Sequence, residues 1–243
     1  MRAHPFILSR ERKAKAERLE AFDPRKRNFG EKWLQNELAA HPAILPAGEI
    51  EPIFEPLVTI GTEVPVEQGR IDILFISPMG YPVIAETKLW RNPEAKREAA
   101  AQALDMAFCL AKWNYDQLDE QARHYSQKIY NKKYGLNELI AKETASAELE
   151  ADDFREQVEK NLRFGRFLVL VVTDRVRSAA QDILTELNKY PGLGMELAVI
   201  ELECFALNKQ RSSQVLMVPR IAKRTEVIER SVVEVKIDRG GEQ

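Results

Sequence analysis

Cysteine is scarce: the 243-residue chain has two, Cys109 and Cys204. Two thiols cannot build a disulfide framework, nor a zinc site unaided. The three histidines, His4, His41 and His124, show no ligand spacing, and His41-Pro42 reads as a helix end. No apolar run approaches the roughly 18 residues a membrane helix needs. The longest, Phe167 to Val172, is of strand length. The N-terminus carries Arg2, Arg10, Arg12 and Lys13 but no apolar h-region. No signal peptide is therefore expected, and a reducing cytoplasm is the expected compartment. Charge of one sign is lacking too: 36 Lys+Arg face 38 Asp+Glu, for a net charge of −2. That excludes coating of nucleic acid by bulk electrostatics. Internal repeats and Pro/Gly/Ser linkers are absent as well.

What is present is the composition of a globular chain, 44% hydrophobic and 30% charged. The neutral total conceals a gradient. Residues 1–32 hold ten basic and five acidic residues, and residues 143–160 hold two basic and seven acidic. Three regions are expected: a basic helical arm over 1–28, an α/β domain over 29–220 with a helical, partly acidic insertion at about 114–161, and a tail over 221–243. The stripe Val233, Val235 and Ile237 in that tail reads as an edge strand or a dimer arm, so a homodimer is one expectation.

Glu11 to Ala21 reads as a charged helix, and a second helix runs from about Phe29-Gly30 to before Pro42. Strands are expected at 57–64, 69–76, 82–89, 166–174, 195–205 and 215–219 from their period of two or their continuous apolar runs. In GRIDILFI (69–76), alternation sets Ile71, Ile73 and Phe75 on one face and Arg70, Asp72 and Leu74 on the other. Pro78-Met79-Gly80 marks a turn, and Asn92-Pro93-Glu94 a helix start with that helix running to about Trp113. Tyr115 to Asn161 reads as helical, and Ser178 to Lys189 as a helix ended by Pro191-Gly192. The alternation of helices and strands makes the class α/β, with a central mixed β-sheet flanked by helices.

One region carries the chemistry. Asp72 interrupts an apolar strand, and Glu86 and Lys88 stand two apart on the next one, hence on one face. A hairpin brings Asp72 beside Glu86. Adjacent carboxylates repel, and a divalent cation relieves this; carboxylates, a carbonyl and water are ligands suited to Mg²⁺. A neighbouring lysine can orient an attacking water or offset charge on a phosphate. A plain Lys88 ion pair on a solvated face is the alternative. On the following helix Gln102 shares a stripe with Ala95, Ala99, Met106 and Cys109, where a polar group needs a partner. On the earlier helix Glu31 aligns with Leu34 and Leu38; Glu37 is the fallback for a helix acid.

Glu31, GRIDILF with Asp72, AETK with Glu86 and Lys88, and Gln102 together resemble the PD-(D/E)xK nuclease superfamily, with its restriction-endonuclease-like fold. ETKLWRNPEAKREAAAQALDMA (86–107) and NLRFGRFLVLVVTDRVR (161–177) are similar to an uncharacterised bacterial group within it. The resemblance implies Asp72 and Glu86 as ligands of Mg²⁺ or Mn²⁺, with the Thr87 carbonyl as a third. It implies Lys88 as the catalytic lysine, Gln102 as a supporting polar residue and Glu31 as the helix acid. Ile71 stands where the motif's proline would be, and Thr87 where Cys or Val is usual. The implied activity is hydrolysis of a phosphodiester by in-line attack of water, in DNA rather than RNA. Trp90, Arg91, Arg97, Arg163 and Arg166 are the expected nucleic-acid contacts. A catalytically dead nucleic-acid-binding or structural module on the same scaffold is the competing reading.

Overall fold

The computed structural model describes residues 5–8, 16–21, 30–89, 95–144, 150–174, 194–207 and 214–224. Two short strands, β1 (Phe6–Ile7) and β2 (Glu17–Arg18), pair antiparallel. The main body begins with helices α1 (Glu31–Ala40) and α2 (Ala47–Ile50), then strands β3 (Val58–Val66), β4 (Gly69–Ile76) and β5 (Pro82–Lys88). Helices α3 (Ala95–Leu110), α4 (Tyr115–Tyr130), α5 (Leu136–Thr144) and α6 (Ala151–Arg163) follow. Strands β6 (Leu168–Thr173), β7 (Glu196–Ala206) and β8 (Val215–Arg224) complete the order. The protein is α/β, as its alternating pattern implies: six strands in the order β3-β4-β5-β6-β7-β8 form one mixed sheet flanked by helices.

β5, β6 and β7 run parallel, and the other neighbours pair antiparallel. The sheet has a core on each face. Val169 and Val171 join α3, α4, α5 and α6 on one side, through residues such as Ala103, Leu118, Leu139 and Val158. Leu168, Leu170 and Val172 join α1 on the other, through Leu34 and Leu38. That double cover is why β6 is apolar at every position. Gly80, at φ +77°, closes the turn between β4 and β5, a conformation costly for residues with a Cβ.

Several expectations are corrected. Glu17-Arg18 is extended, not helical. Its segment has no apolar helical stripe to bury; among the described residues 16–21 only Leu19 is buried, and its amide donates to the Pro5 carbonyl. The stretch 114–161 holds α4, α5 and most of α6, and its Leu118, Leu136, Ile140 and Val158 are fully or almost fully buried parts of the main core. β8 continues through Arg224, so the sheet does not end at 220. Ile71 does not share a face with Ile73 and Phe75: it joins the α3 side, while they join the α1 side. Alternation in β4 therefore breaks at Asp72. The expected helix start at Asn92-Pro93, the helix Ser178 to Lys189 and the stripe at Val233 lie outside the described residues. Among the described residues no helix is long and apolar enough to cross a membrane.

Candidate active site where two strands part

The site arises where the β4–β5 ladder stops. Cα pairing runs from Ile76–Pro82 to Ile73–Ala85 and goes no further. One more step would set Asp72 against Glu86. Instead Asp72 Oδ2 accepts two hydrogen bonds from Thr87, from its amide and its hydroxyl, each at 2.8 Å. The Asp72 carbonyl accepts from Gln35 Nε2 of α1 at 2.5 Å. The Asp72 side chain thus pairs the Thr87 amide and the Gln35 side chain pairs the Asp72 carbonyl, which satisfies these backbone groups while the strands separate.

On β5, Val83 and Ala85 belong to the α1-side core and Ile84 to the α3-side core. The period of two carries Thr87 to the first face and Glu86 and Lys88 to the second. Glu86 is 1% exposed. Its Oε2 has no hydrogen-bond partner. Lys88 Nζ lies 3.8 Å from Oε1, a long ion pair that leaves the other oxygen unmatched. Burial pushes the Glu86 carboxyl up to about 8, and the charges of Asp72, Glu31 and Glu63 add to the rise against the opposing pull of Lys88. The Asp72 carboxyl is raised as well, chiefly by burial, with the two Thr87 bonds working against it. A buried carboxylate without a partner is costly, and structural polar groups rarely remain so.

Helix α1 holds three strands at this point. Glu31 Oε1 accepts from the Leu89 amide, just past β5, at 3.1 Å. Gln35 reaches β4 as described. Lys32 Nζ donates to Gln35 Oε1 at 2.8 Å and to Glu63 Oε1 of β3 at 2.9 Å. The Lys32 bond holds the Glu63 carboxyl below its ordinary value. Glu63 sits between the pairs Thr62–Ile73 and Val64–Ile71, at the level of Asp72, with φ +53°. Such a conformation is uncommon for a residue with a side chain and marks a place where the surroundings override local preference.

Asp72, Glu86, Thr87, Lys88 and Glu31 are thus brought together. Glu31 lies on the exposed side of α1 rather than its buried stripe, and reaches the site by its length. Glu37 is half-buried two turns along; its carbonyl accepts from the His41 amide. Gln102 is not inward-facing: α3 buries Ala103, Met106, Ala107, Cys109 and Leu110, and Gln102 is exposed. Met106 and Cys109 of the expected stripe are buried, but the buried face is turned away from Gln102 toward Ala103 and Ala107. Trp90 and Arg91 lie outside the described residues, as does the side chain of Arg97. Arg163 and Arg166 flank Phe164, each 5.5 Å from its ring, at the start of β6. Lys88 pairs with Thr173 at the other end of that strand, about 17 Å away at 3.3 Å per residue. Those two arginines are not part of this site.

Sequence reasoning missed Gln35 and Glu63. Gln35 was findable: it sits in the buried α1 stripe of Leu34, Gln35, Leu38 and Ala39, as the only polar member. Glu63 had no comparable signal, since a positive φ at glutamate has no sequence mark.

The donor set fits a hard divalent cation. Two adjacent carboxylates, one with a buried and unmatched oxygen, are ligands of the type Mg²⁺ and Mn²⁺ take. Among the described residues no group of three His, Cys, Asp or Glu is placed to hold a metal ion, so the candidate centre is a carboxylate pair rather than a full cage. No protein-family model, no curated protein and no solved structure matches the chain.

Proposed function

We propose that this protein is a metal-dependent nuclease that hydrolyses phosphodiester bonds, with DNA its expected substrate. The observation that carries the reading is Glu86: a carboxylate buried at 1% exposure, one oxygen unmatched, beside Asp72 and Lys88 where two strands part. The residues that would hold Mg²⁺ or Mn²⁺ are Asp72 and Glu86, with the Thr87 carbonyl as a third ligand. When bound, the cation supplies charge neutralisation at the phosphate and acidifies a water.

The chain's own groups do the rest. Lys88 places an ammonium beside the carboxylates, where it orients a water and offsets charge developing on phosphate oxygens. Thr87 fixes the rotamer of Asp72 through two bonds to one oxygen. Glu31 and Gln35 tie the ends of β5 and β4 to one helix, so the carboxylates keep their separation. The resemblance of the Asp72, Glu86 and Lys88 arrangement to PD-(D/E)xK nucleases supports the same reading.

The test has two parts. Thermal unfolding with Mn²⁺ or Mg²⁺ should show stabilisation in the parent and none in Glu86→Gln. Single-stranded, duplex and branched DNA, and RNA, should then be incubated with each cation beside Asp72→Ala and Lys88→Ala. Cation-dependent cleavage lost in both variants supports the proposal. No cation binding and no cleavage overturns it. Binding of nucleic acid without cleavage favours the inactive module instead.

A further inference from the structure

The α3-side face of the sheet changes character along one line. Ile84, Val169, Val171, Leu197 and Val199 are all buried in its apolar core. Further along, the strand register gives a polar row: Lys88 on β5 pairs with Thr173 on β6, Thr173 with Glu201 on β7, and Glu201 with Arg220 on β8. Alternation keeps Lys88, Thr173 and Glu201 on the face of Ile84, Val171 and Val199. The row begins at the carboxyl ends of the parallel strands β5 and β6, the end where open α/β sheets receive their ligands, and crosses the middle of β7.

The far end of the row is built. Glu201 is fully buried, and its Oε2 accepts from Arg220 Nη2. Arg220 itself is two-thirds exposed, at 67% of its side chain. Burying a carboxylate to hold an exposed arginine is costly for stability alone, because surface ion pairs contribute little. The arrangement holds one Nη of the guanidinium, which has five N–H donors in all, while the side chain stays two-thirds exposed. Three strand spacings separate Lys88 from Arg220, about 14 Å at 4.8 Å each. That is about four steps along a duplex at 3.4 Å per step.

We infer that Arg220, held by Glu201, is a second phosphate-binding site, which takes a backbone phosphate of a polynucleotide strand a few nucleotides from the bond at Lys88. The inference rests on the nuclease reading for the identity of the ligand. A polynucleotide is favoured over a free phosphate because the two cationic ends of the row stand a few nucleotides apart.

The test uses the full chain carrying Lys88→Ala, so that bound substrate survives, with a fluorescein-labelled 20-nucleotide DNA as single strand and as duplex. Affinity is measured by anisotropy over a salt series in Mg²⁺. Arg220→Gln should weaken binding about fivefold to tenfold and reduce the slope of log K against log salt by about one. Arg220→Lys should recover part of the loss. Glu201→Gln should also weaken binding, although it makes the protein more positive. Bulk electrostatics would give the opposite sign, so strengthened binding by Glu201→Gln overturns the inference. Equal affinity and slope in Arg220→Gln and its parent overturn it too. Thermal melts check that each variant is folded, and Arg220→Lys, which keeps the charge, serves if Glu201→Gln does not fold. In the chain with Lys88 intact, Arg220→Gln should leave cleavage of a dinucleotide unchanged while slowing cleavage of the 20-mer. Failure of the parent to cleave or bind anything removes the nuclease reading as well, whereas cleavage by the parent with no effect of Arg220→Gln removes this inference alone.

Discussion

Asn161 and Glu86 are both buried polar side chains, at opposite ends of the parallel strands, and they are treated oppositely. Asn161 is bonded at both ends of its amide: Nδ2 donates to the Gly80 carbonyl at 2.8 Å, Oδ1 accepts from Gln157, and its carbonyl accepts from the Arg166 amide. It ties α6 to the β4–β5 turn. Glu86 has a long contact to Lys88 and one oxygen with nothing. The difference separates polar groups kept for architecture from those kept ready for something else. Burial alone would not distinguish them.

The largest expected effect breaks the comparison at the reactive end. Lys88→Ala should lower cleavage about 100- to 1,000-fold, the range for losing one preorganised charged donor. Its melting temperature should stay near the parent's, because the 3.8 Å pair adds little stability. Steady-state cleavage and a thermal melt on the same preparation decide it; a large fall in stability would move Lys88 to the architectural class.

The next effect is on stability and depends on pH. The Glu86 carboxyl is raised from 4.5 to about 8 in the folded chain. The folded state therefore holds its proton more tightly than the unfolded state. The stabilisation is fully present below about pH 4.5 and is lost as pH rises through 8. Glu86→Gln cannot ionise, so its advantage over the parent should grow across that window, to about 4–5 kcal/mol at its upper end. Asp72 shifts in the same direction and adds to the parent's loss. Urea unfolding at pH 5 and pH 8.5 measures it, and Mn²⁺ at the higher pH should restore much of the parent's stability.

Asn161→Ala should show the reverse: about 2 kcal/mol less stable, from the unsatisfied Gly80 carbonyl, at every pH from 5 to 9. Cleavage per folded molecule should be unchanged. Gln35→Ala sharpens the boundary, since Gln35 is bonded at both ends of its amide yet adjoins the site. A stability loss of about 1–2 kcal/mol is expected. Cleavage should also fall, with an increased cation requirement, and Gln35→Glu should not rescue it, because a carboxylate cannot donate to the Asp72 carbonyl. The smallest effect is expected at the far end: Arg163→Ala and Arg166→Ala should each change cleavage less than about twofold, given the 17 Å of strand between them and Lys88. A larger change in substrate affinity would extend the nucleic-acid surface to that end.

Much of the fold could be read along the chain. GRIDILFI and PVIAETK are bounded by glycine and proline and occupy β4 and β5 as expected. α1 stops at Ala40 before His41-Pro42, where proline cannot extend it. Asp72, Glu86 and Lys88 are legible for the same local reasons, a charge in an apolar strand and a spacing of two, whereas Thr87 comes only with the resemblance. What failed was long-range. The crossing of Ile71 to the other face follows from the ladder ending at Ile73–Ala85, which depends on Gln35, thirty-seven residues from Asp72. The outward orientation of Gln102 depends on which alanines of α3 meet the sheet.

By itself, then, the sequence determined the α/β class, most strand positions and the identity of the charged residues on them, because periodicity and turn chemistry act over a few residues. Only the tertiary structure decided that β4 and β5 part at Asp72, that α1 bridges the gap with Glu31, Lys32 and Gln35, and that Glu86 is buried with an unmatched oxygen. Those properties depend on desolvation and on partners brought from distant segments, and neither has a local period.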